Sequence, residues 1–379
     1  MVAHAHLRRG IKNHMIHELR LNQTQRIGAQ SAKAHNRWHP AIPPALRIDN
    51  GDEVLLDTLD ALDCQISSSH TVANASTWDL NAAHPLTGPI WINGAQPGDL
   101  LAVELLEIIP AASGWTAQLP GFGFLRDLFP EPHLVRWRLH NGYAESSDLP
   151  GVRIPGASFP GVIGVAPALD MIDRITAREQ AALDRGALVM PPEPKSAVPA
   201  IEPIASRGLR TIPPRENGGN LDVKQLVKGT TVYLPVWTEG ALFSIGDAHF
   251  AQGDGEVCGS AIEMAATFRL RFQLDKGAAR KRNIRGAQFS GLEGSGTLRR
   301  YYATTGLSMR GEDIQESEDA TLAARNALIA MLEYLQGRGF TRAQAYAICS
   351  VAVDLRLSEV VDVPNFVVSA VLPLDIFVK

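Results

Sequence analysis

At 379 residues, with 45% hydrophobic and 20% charged side chains, the chain has room for about two to three domains and is too apolar for wholesale disorder. Its 36 basic and 40 acidic residues leave a formal net charge of −4, so no positive field gathers a phosphate backbone, which disfavours nucleic acid as a partner. Three widely spaced cysteines, Cys64, Cys258 and Cys349, give neither a disulfide framework nor zinc-ribbon spacing; a cytoplasmic location is the expectation. No apolar run approaches about 18 residues, so no membrane span is expected.

Residues 1–17 read as a flexible polar extension, with Met15 near the start of the compact part. Six of the eleven histidines lie between His4 and His39, but a metal-binding arm needs a rigid support that a frayed terminus lacks. Residues 18–150 read as a first β domain. Asp52–Thr58, Pro89–Asn93 and Leu100–Ile109 are strand-like, and turn signals at Asn50-Gly51-Asp52 and Gln96-Pro97-Gly98-Asp99 precede apolar runs. Residues 151–275 read as a second β domain carrying an insertion. Within it 170–185 is rich in helix formers, whereas Gly186–Asn217 holds seven prolines and cannot be one regular element. Such a segment is a lid, a linker or an inter-subunit arm, and a homo-oligomer is expected. Strands are then expected at Thr230–Trp237, Ala241–Ile245 and Glu263–Leu274. The last alternates Phe268, Leu270, Phe272 and Leu274 against Arg269, Arg271 and Gln273, which defines one buried and one wet face. Residues 276–379 read as α+β. Helices are expected over Glu318–Gln336 and from the capping box Thr341–Gln344, and strands at Val351–Leu357, Asn365–Leu372 and Ile376–Val378.

Chemistry concentrates in Gly246–Glu263, which holds Asp247, His249, Asp254, Glu256 and Glu263, with Asn220 and Asp222 just upstream. Asp247 and His249 are two apart, so on a strand both point to one face. A carboxylate and an imidazole on one face, with more carboxylates nearby, suit a hydrolytic zinc site or a mixed oxygen/nitrogen site. Acid–base catalysis by Glu and His without a metal is the alternative. Asp254, in an Asp-Gly pair, reads mainly as a turn residue. Cys258 sits among carboxylates that raise a thiol pKa and reads as a small buried residue. Gly291–Gly296 has the wrong glycine order for a dinucleotide fingerprint, Arg280–Arg285 reads as a solvated loop, and Ser67–His70 lacks a nucleophile elbow.

Several motifs in order now carry a resemblance. They are His84-Pro85-Leu86-Thr87-Gly88-Pro89, Gly94–Val103, Gly161–Pro167, Gly218-Gly219-Asn220-Leu221-Asp222, Gly246-Asp247-Ala248-His249, Gly253-Asp254-Gly255-Glu256 and Val353-Asp354-Leu355-Arg356. Together they resemble the acetamidase/formamidase family from about Glu18 to Phe377. The segment 170–216 is similar to longer, formamidase-type members, and Thr58-Leu59-Asp60 with Gln65-Ile66 to compact, acetamidase-type ones. The resemblance implies a mainly β fold with jelly-roll/sandwich-like and barrel-like domains and a helix-containing C-terminal region. It also implies hydrolysis of a short aliphatic amide to carboxylate and ammonia.

The residues and the resemblance together lead to a specific expectation. Asp222, Asp247 and His249 hold a divalent metal, zinc in the first place with calcium as a candidate second ion. Glu263 is a candidate fourth ligand. Glu256 and Glu263 carry protons, supported by Asp60, while Asn220, Trp237 and Phe243 contact a small amide such as formamide or acetamide. The competing readings are hydrolysis of another small C–N compound, such as a urea or guanidine derivative, and a non-catalytic ligand-binding sandwich. A neutral-sugar binder would display aromatics, and Gly246–Glu263 has only Phe250.

Overall fold

The computed structural model describes residues 14–67, 71–291, 300–311, 314–360 and 366–378. The expectations for Ser67–His70, for most of Gly291–Gly296 and for the first histidines therefore lie largely outside the described residues. Met15 N–H donates to Asp52 Oδ1 (2.9 Å). Residues 16–17, expected within the extension, instead open the strand Ile16–Leu19, which pairs in parallel with Glu53–Thr58.

Two large sheets form the body. The first has six strands in the order Ile16–Leu19, Glu53–Thr58, Ala266–Asp275, Leu100–Pro110, Thr231–Pro235 and Gln288–Ser290. Its central strand Ala266–Asp275 buries Phe268, Leu270 and Phe272 completely. Arg269 and Arg271 on the other face pair with Glu53 at 2.6 and 2.7 Å, so the alternation in the sequence is the division between core and solvent. The second sheet has eleven strands. Phe243–His249 lies inside it, flanked by Phe159–Gly164, Glu263–Met264 and Leu86–Ile92. The sheets pack face to face: Phe243 and Phe272 meet edge to face at 5.1 Å within one apolar core. The fold is mainly β and sandwich-like. None of the sheets among the described residues closes, which corrects the expectation of a barrel-like part.

At the C-terminal end a three-stranded sheet, Tyr301–Gly306, Val367–Pro373 and Asp354–Glu359, packs with the helices Ala320–Gly337 and Arg342–Ala352. The Thr341/Gln344 capping box starts the second helix as expected. That helix continues to Ala352, so the strand expected from Val351 begins only at Asp354; of the final strand expected at Ile376–Val378, Ile376 ends a 3₁₀ turn and Phe377 forms only an isolated bridge to Val152.

The helix expected over 170–185 spans Leu169–Leu183. The proline-rich segment after it packs closely on the body of the chain. It folds back on its own chain: the fully buried Arg37 guanidinium donates to the carbonyls of Glu193 (2.6 Å) and Lys195 (3.0 Å), and Asn36 exchanges bonds with Val198. No helix among the described residues is long and apolar enough to cross a membrane.

Candidate active site

The strand Phe243–His249 carries the centre of the site. Asp247 and His249 share a face, as the spacing requires, and both are buried. His249 pairs with Phe159 across the neighbouring strand, and Glu263 pairs with His249 on the other side, so two adjacent strands deliver the imidazole and the Glu263 carboxylate to one spot. Asp222 arrives from the loop after Gly218–Asn220, and Glu256 from the turn before Glu263. His249 Nε2 lies 3.4 Å from Asp247 Oδ2 and 3.2 Å from Glu263 Oε2. Two overlapping ligand-capable sets result, Asp222/His249/Glu256 and Asp247/His249/Glu263, and they share the imidazole.

Three of these residues hold a backbone conformation that L side chains rarely adopt: φ is +49° at Asp222, +55° at Asp247 and +42° at Glu256. Strain of this kind costs on the order of 1–3 kcal/mol per residue and persists where the surroundings over-determine it. The surroundings here include Gly161. A Cβ on that residue would lie 2.5 Å from Asp247 Oδ2, 2.7 Å from Asp222 Oδ1 and 2.8 Å from His249 Cε1. The three side chains therefore converge over a bare backbone, and only glycine leaves that space open.

The electrostatics are those of a charge cluster taken out of water. Burial, with a contribution from Asp247, pushes the Glu263 carboxyl up to about 8 and Asp60 up to about 6. Burial, reinforced by Asp222, raises Glu256 well above the carboxylate range, and burial raises Asp222. Burial opposes the charge on His249, but Glu263 and Asp247 outweigh it and raise its pKa well above that of a free imidazole. Burial also opposes the charge on Asp247, yet His84 and His249 win and lower its pKa. Several polar atoms of the cluster find no hydrogen-bond partner among the described residues: His84 Nδ1, Asn220 Oδ1, Asp222 Oδ1, Asp247 Oδ1, His249 Nε2 and Glu263 Oε2. Each buried orphan costs about 1–3 kcal/mol. A set of one imidazole nitrogen and several carboxylate oxygens fits a divalent cation, which would satisfy them together.

The far side of the imidazole is already oriented. Gln252 Nε2 donates to the Asp222 carbonyl (2.9 Å), which turns Gln252 Oε1 toward His249 Nδ1 (2.9 Å). Nδ1 must then carry a proton, and the neutral ring keeps its lone pair on Nε2, facing the cluster.

A cavity of about 360 Å³ opens onto the cluster, lined at its polar end by His84, Asn220, Asp222, Asp247, Glu256 and Glu263. Asp60 is not among its walls. It faces a neighbouring cleft shared with Glu263 and Trp115, where it accepts from the N–H groups of Leu62 (2.9 Å) and Cys64 (3.1 Å). Trp237 and Phe243, expected at the substrate, lie elsewhere. Phe243, at the start of its strand, is fully buried in the core, and Trp237, two residues past the strand Thr231–Pro235, packs against core clusters; neither lines the cavity. Asp254 faces Lys224 at 3.6 Å outside the cavity, and Cys258 is buried with burial raising its thiol pKa. Sequence reasoning missed the site roles of His84, Gln252, Gly161 and Trp115. His84 and Gly161 stand in motifs that carry the family resemblance, and Gln252 lies three residues after His249; Trp115 carried no signal in the residue pattern.

A sandwich with a buried carboxylate–imidazole cluster at the foot of a cavity supplies the acid–base and ligand groups that hydrolysis uses. The chain matches the model of the Acetamidase/Formamidase family over residues 20–379, and it belongs to that family. It is 35% identical to a formamidase of Methylophilus methylotrophus, an alignment covering 95% of this chain and 93% of the relative. It is 36% identical to an acetamidase of Mycolicibacterium smegmatis, covering 84% and 85%. Among solved structures, the gamma lactamase from Delftia acidovorans superposes with a TM-score of 0.90 at 34% identity over 95% of this chain and 93% of the other. An acetamidase from Bacillus halodurans gives 0.56 at 25% identity over 94% and 97%. The protein is an amidohydrolase.

Proposed function

We propose that the protein hydrolyses a small carboxamide to carboxylate and ammonia with the help of one divalent ion, zinc by the character of the donors, held by Asp222, Asp247 and His249. The observation that carries this reading is the set of unpartnered buried polar atoms converging over Gly161. Such an ion, when bound, polarises an amide carbonyl and lowers the pKa of a water. The chain's own groups do the rest. Asn220 Oδ1, unpartnered and lining the cavity, is placed to accept an N–H of the substrate amide. Glu256 and Glu263 divide the proton work: one accepts a proton from the attacking water, and the other delivers one to the nitrogen as the C–N bond breaks. Asp60 influences this pair from the adjoining cleft through its proximity to Asp247 and the wall it shares with Glu263.

Formamide and acetamide are the first substrates to test, in keeping with the names of the relatives. Elemental analysis of purified protein before and after dialysis against chelator, with ammonia release measured in parallel, tests the reading. We expect about one ion per chain, loss of activity on its removal and recovery with zinc. Full activity without bound metal would end the metal reading. Replacing Glu256 or Glu263 by Gln should lower turnover about 10²–10⁴-fold, and near-normal rates for both would remove them as proton carriers. The TM-score of 0.90 with the gamma lactamase supports a second substrate reading, a γ-lactam opened to its amino acid, which chromatography of the product resolves.

A further inference from the structure

The polar cluster occupies only one end of the 360 Å³ cavity; the remaining wall is mostly apolar, with Arg126 and Ser260 as its polar members. Leu62, Trp115 and Ala117 belong to a hydrophobic cluster separate from the main core, and Leu80 and Ile212 pack against it. All five line the cavity, and Phe122 joins them, its ring held over Gly259, where a Cβ would come within 2.5 Å of it. Trp115 and Glu263 are direct partners across an antiparallel pair, so their side chains leave the sheet on the same face, the indole beside the carboxylate. An acyl carbon bound at Glu263 therefore has its substituent directed along hydrocarbon. Pockets of about 300–1,000 Å³ hold drug-sized ligands with apolar walls and a few polar groups. Formamide has no carbon to set against such a wall, and acetamide has one methyl group.

We propose that the protein takes a primary amide whose acyl carbon bears a compact hydrocarbon group of roughly four to six carbons, with Leu62, Trp115, Ala117 and Phe122 as the residues that select for it. This rests on the amide-hydrolase reading above. The reaction is unchanged: the amide C–N bond breaks, the oxygen of water joins the acyl carbon, and ammonia leaves. Each methylene buried against the wall is worth up to about fourfold in transition-state binding.

The test is kcat/KM of the zinc-loaded full chain on formamide, acetamide, butyramide, hexanamide and benzamide, read by ammonia release. Hexanamide or benzamide should exceed acetamide by at least about tenfold. The ratio of hexanamide to acetamide should then fall about tenfold or more in Ala117→Leu, which fills the cavity, and in Phe122→Ala, which strips its wall. Circular dichroism and melting curves verify that each variant is folded. If acetamide is hydrolysed and every longer amide is slower, the inference is overturned and the amidase reading stands. Variants that lower all amides equally would overturn the selecting role of these residues. If no amide is hydrolysed at any metal loading, the amidase reading falls and the inference with it.

Discussion

Gln252 shows how one uncharged side chain can decide the chemistry of another. Its amide is anchored on the Asp222 carbonyl and so dictates which nitrogen of His249 is protonated. Replacing it by Leu should weaken zinc affinity roughly 10–100-fold, the usual cost of losing such a support; Gln252→Glu, which keeps an acceptor toward Nδ1, should lose less. Competition against a chromogenic chelator measures this, and equal affinities in wild type and Gln252→Leu would dismiss the role. The same cluster makes the metal-free protein sensitive to pH. Glu263 and Asp60 have folded-state pKa values of about 8 and about 6, raised by burial, so between their unfolded values and these the folded state binds more protons than the unfolded one. The raised imidazole of His249 acts in the same direction, its contribution being lost as pH rises through its folded pKa. The lowered Asp247 contributes stability that is lost only as pH falls through its folded pKa, well below this window. Melting curves of chelated protein should therefore fall in Tm from pH 5 to pH 8, and zinc should flatten the trend. A chelated protein that gains stability over that range would contradict the assignment.

At the scale of elements, the turn that carries Glu256 depends on the C-terminal helix Arg342–Ala352. Ser350 Oγ accepts from Cys258 N–H (3.1 Å) and donates to the Ser260 carbonyl (2.7 Å), while Gly253 N–H donates to the Ser350 carbonyl (2.8 Å). Tyr346 Oη accepts from Leu125 N–H (2.8 Å) and donates to the Val257 carbonyl, and its ring stacks on Phe129 at 4.2 Å. The contact at Gly253 leaves no room for a side chain: a Cβ would lie 2.1 Å from the Val353 carbonyl oxygen. Gly253→Ala should thus shift the turn and lower kcat by tenfold or more while the sandwich remains folded, since hydrogen bonds and reacting groups tolerate little displacement. Tyr346→Phe, which orphans Leu125 N–H and leaves the Val257 carbonyl with the Phe124 N–H as its donor, should cost about 1–3 kcal/mol of stability by denaturant titration. A Gly253→Ala enzyme with unchanged kcat would show that the turn is not held from this side.

At the scale of the molecule, residues 186–217 close the structure rather than extend it. They supply the carbonyls that receive the buried Arg37 guanidinium, and Arg215, also buried, pairs with Glu179 at 2.8 Å on the preceding helix. Leu188 and Ile212 from the same stretch line the cavity that opens onto the polar cluster. Deleting 187–212 should strip the buried Arg37 of both carbonyls that receive its Nη2, leaving Nη1 on Asn36 and Asn81, at a cost of about 1–3 kcal/mol or more, and open the cavity to water. The expected product is an insoluble or molten chain. A soluble, active, cooperatively melting truncation would mean that the segment is a surface loop.

The periodicity of the chain determined what depends on neighbours within a few residues. The strand Ala266–Asp275 with its wet and dry faces, the helices Leu169–Leu183 and Ala320–Gly337 and the Thr341 cap were all legible, because alternation, helical spacing and capping chemistry are local. The shared face of Asp247 and His249 followed from the two-residue period of a strand, and the density of acidic residues marked the site region. Tertiary structure decided everything that depends on which strands become neighbours. Pairing across Phe159–Gly164 put the bare backbone of Gly161 under the cluster, and pairing with Ser113–Gln118 set Trp115 beside Glu263. The same geometry took Phe243 into the core and moved Asp60 to the next cleft, since closeness along the chain says nothing about which face of a sheet a side chain leaves or which element meets it there.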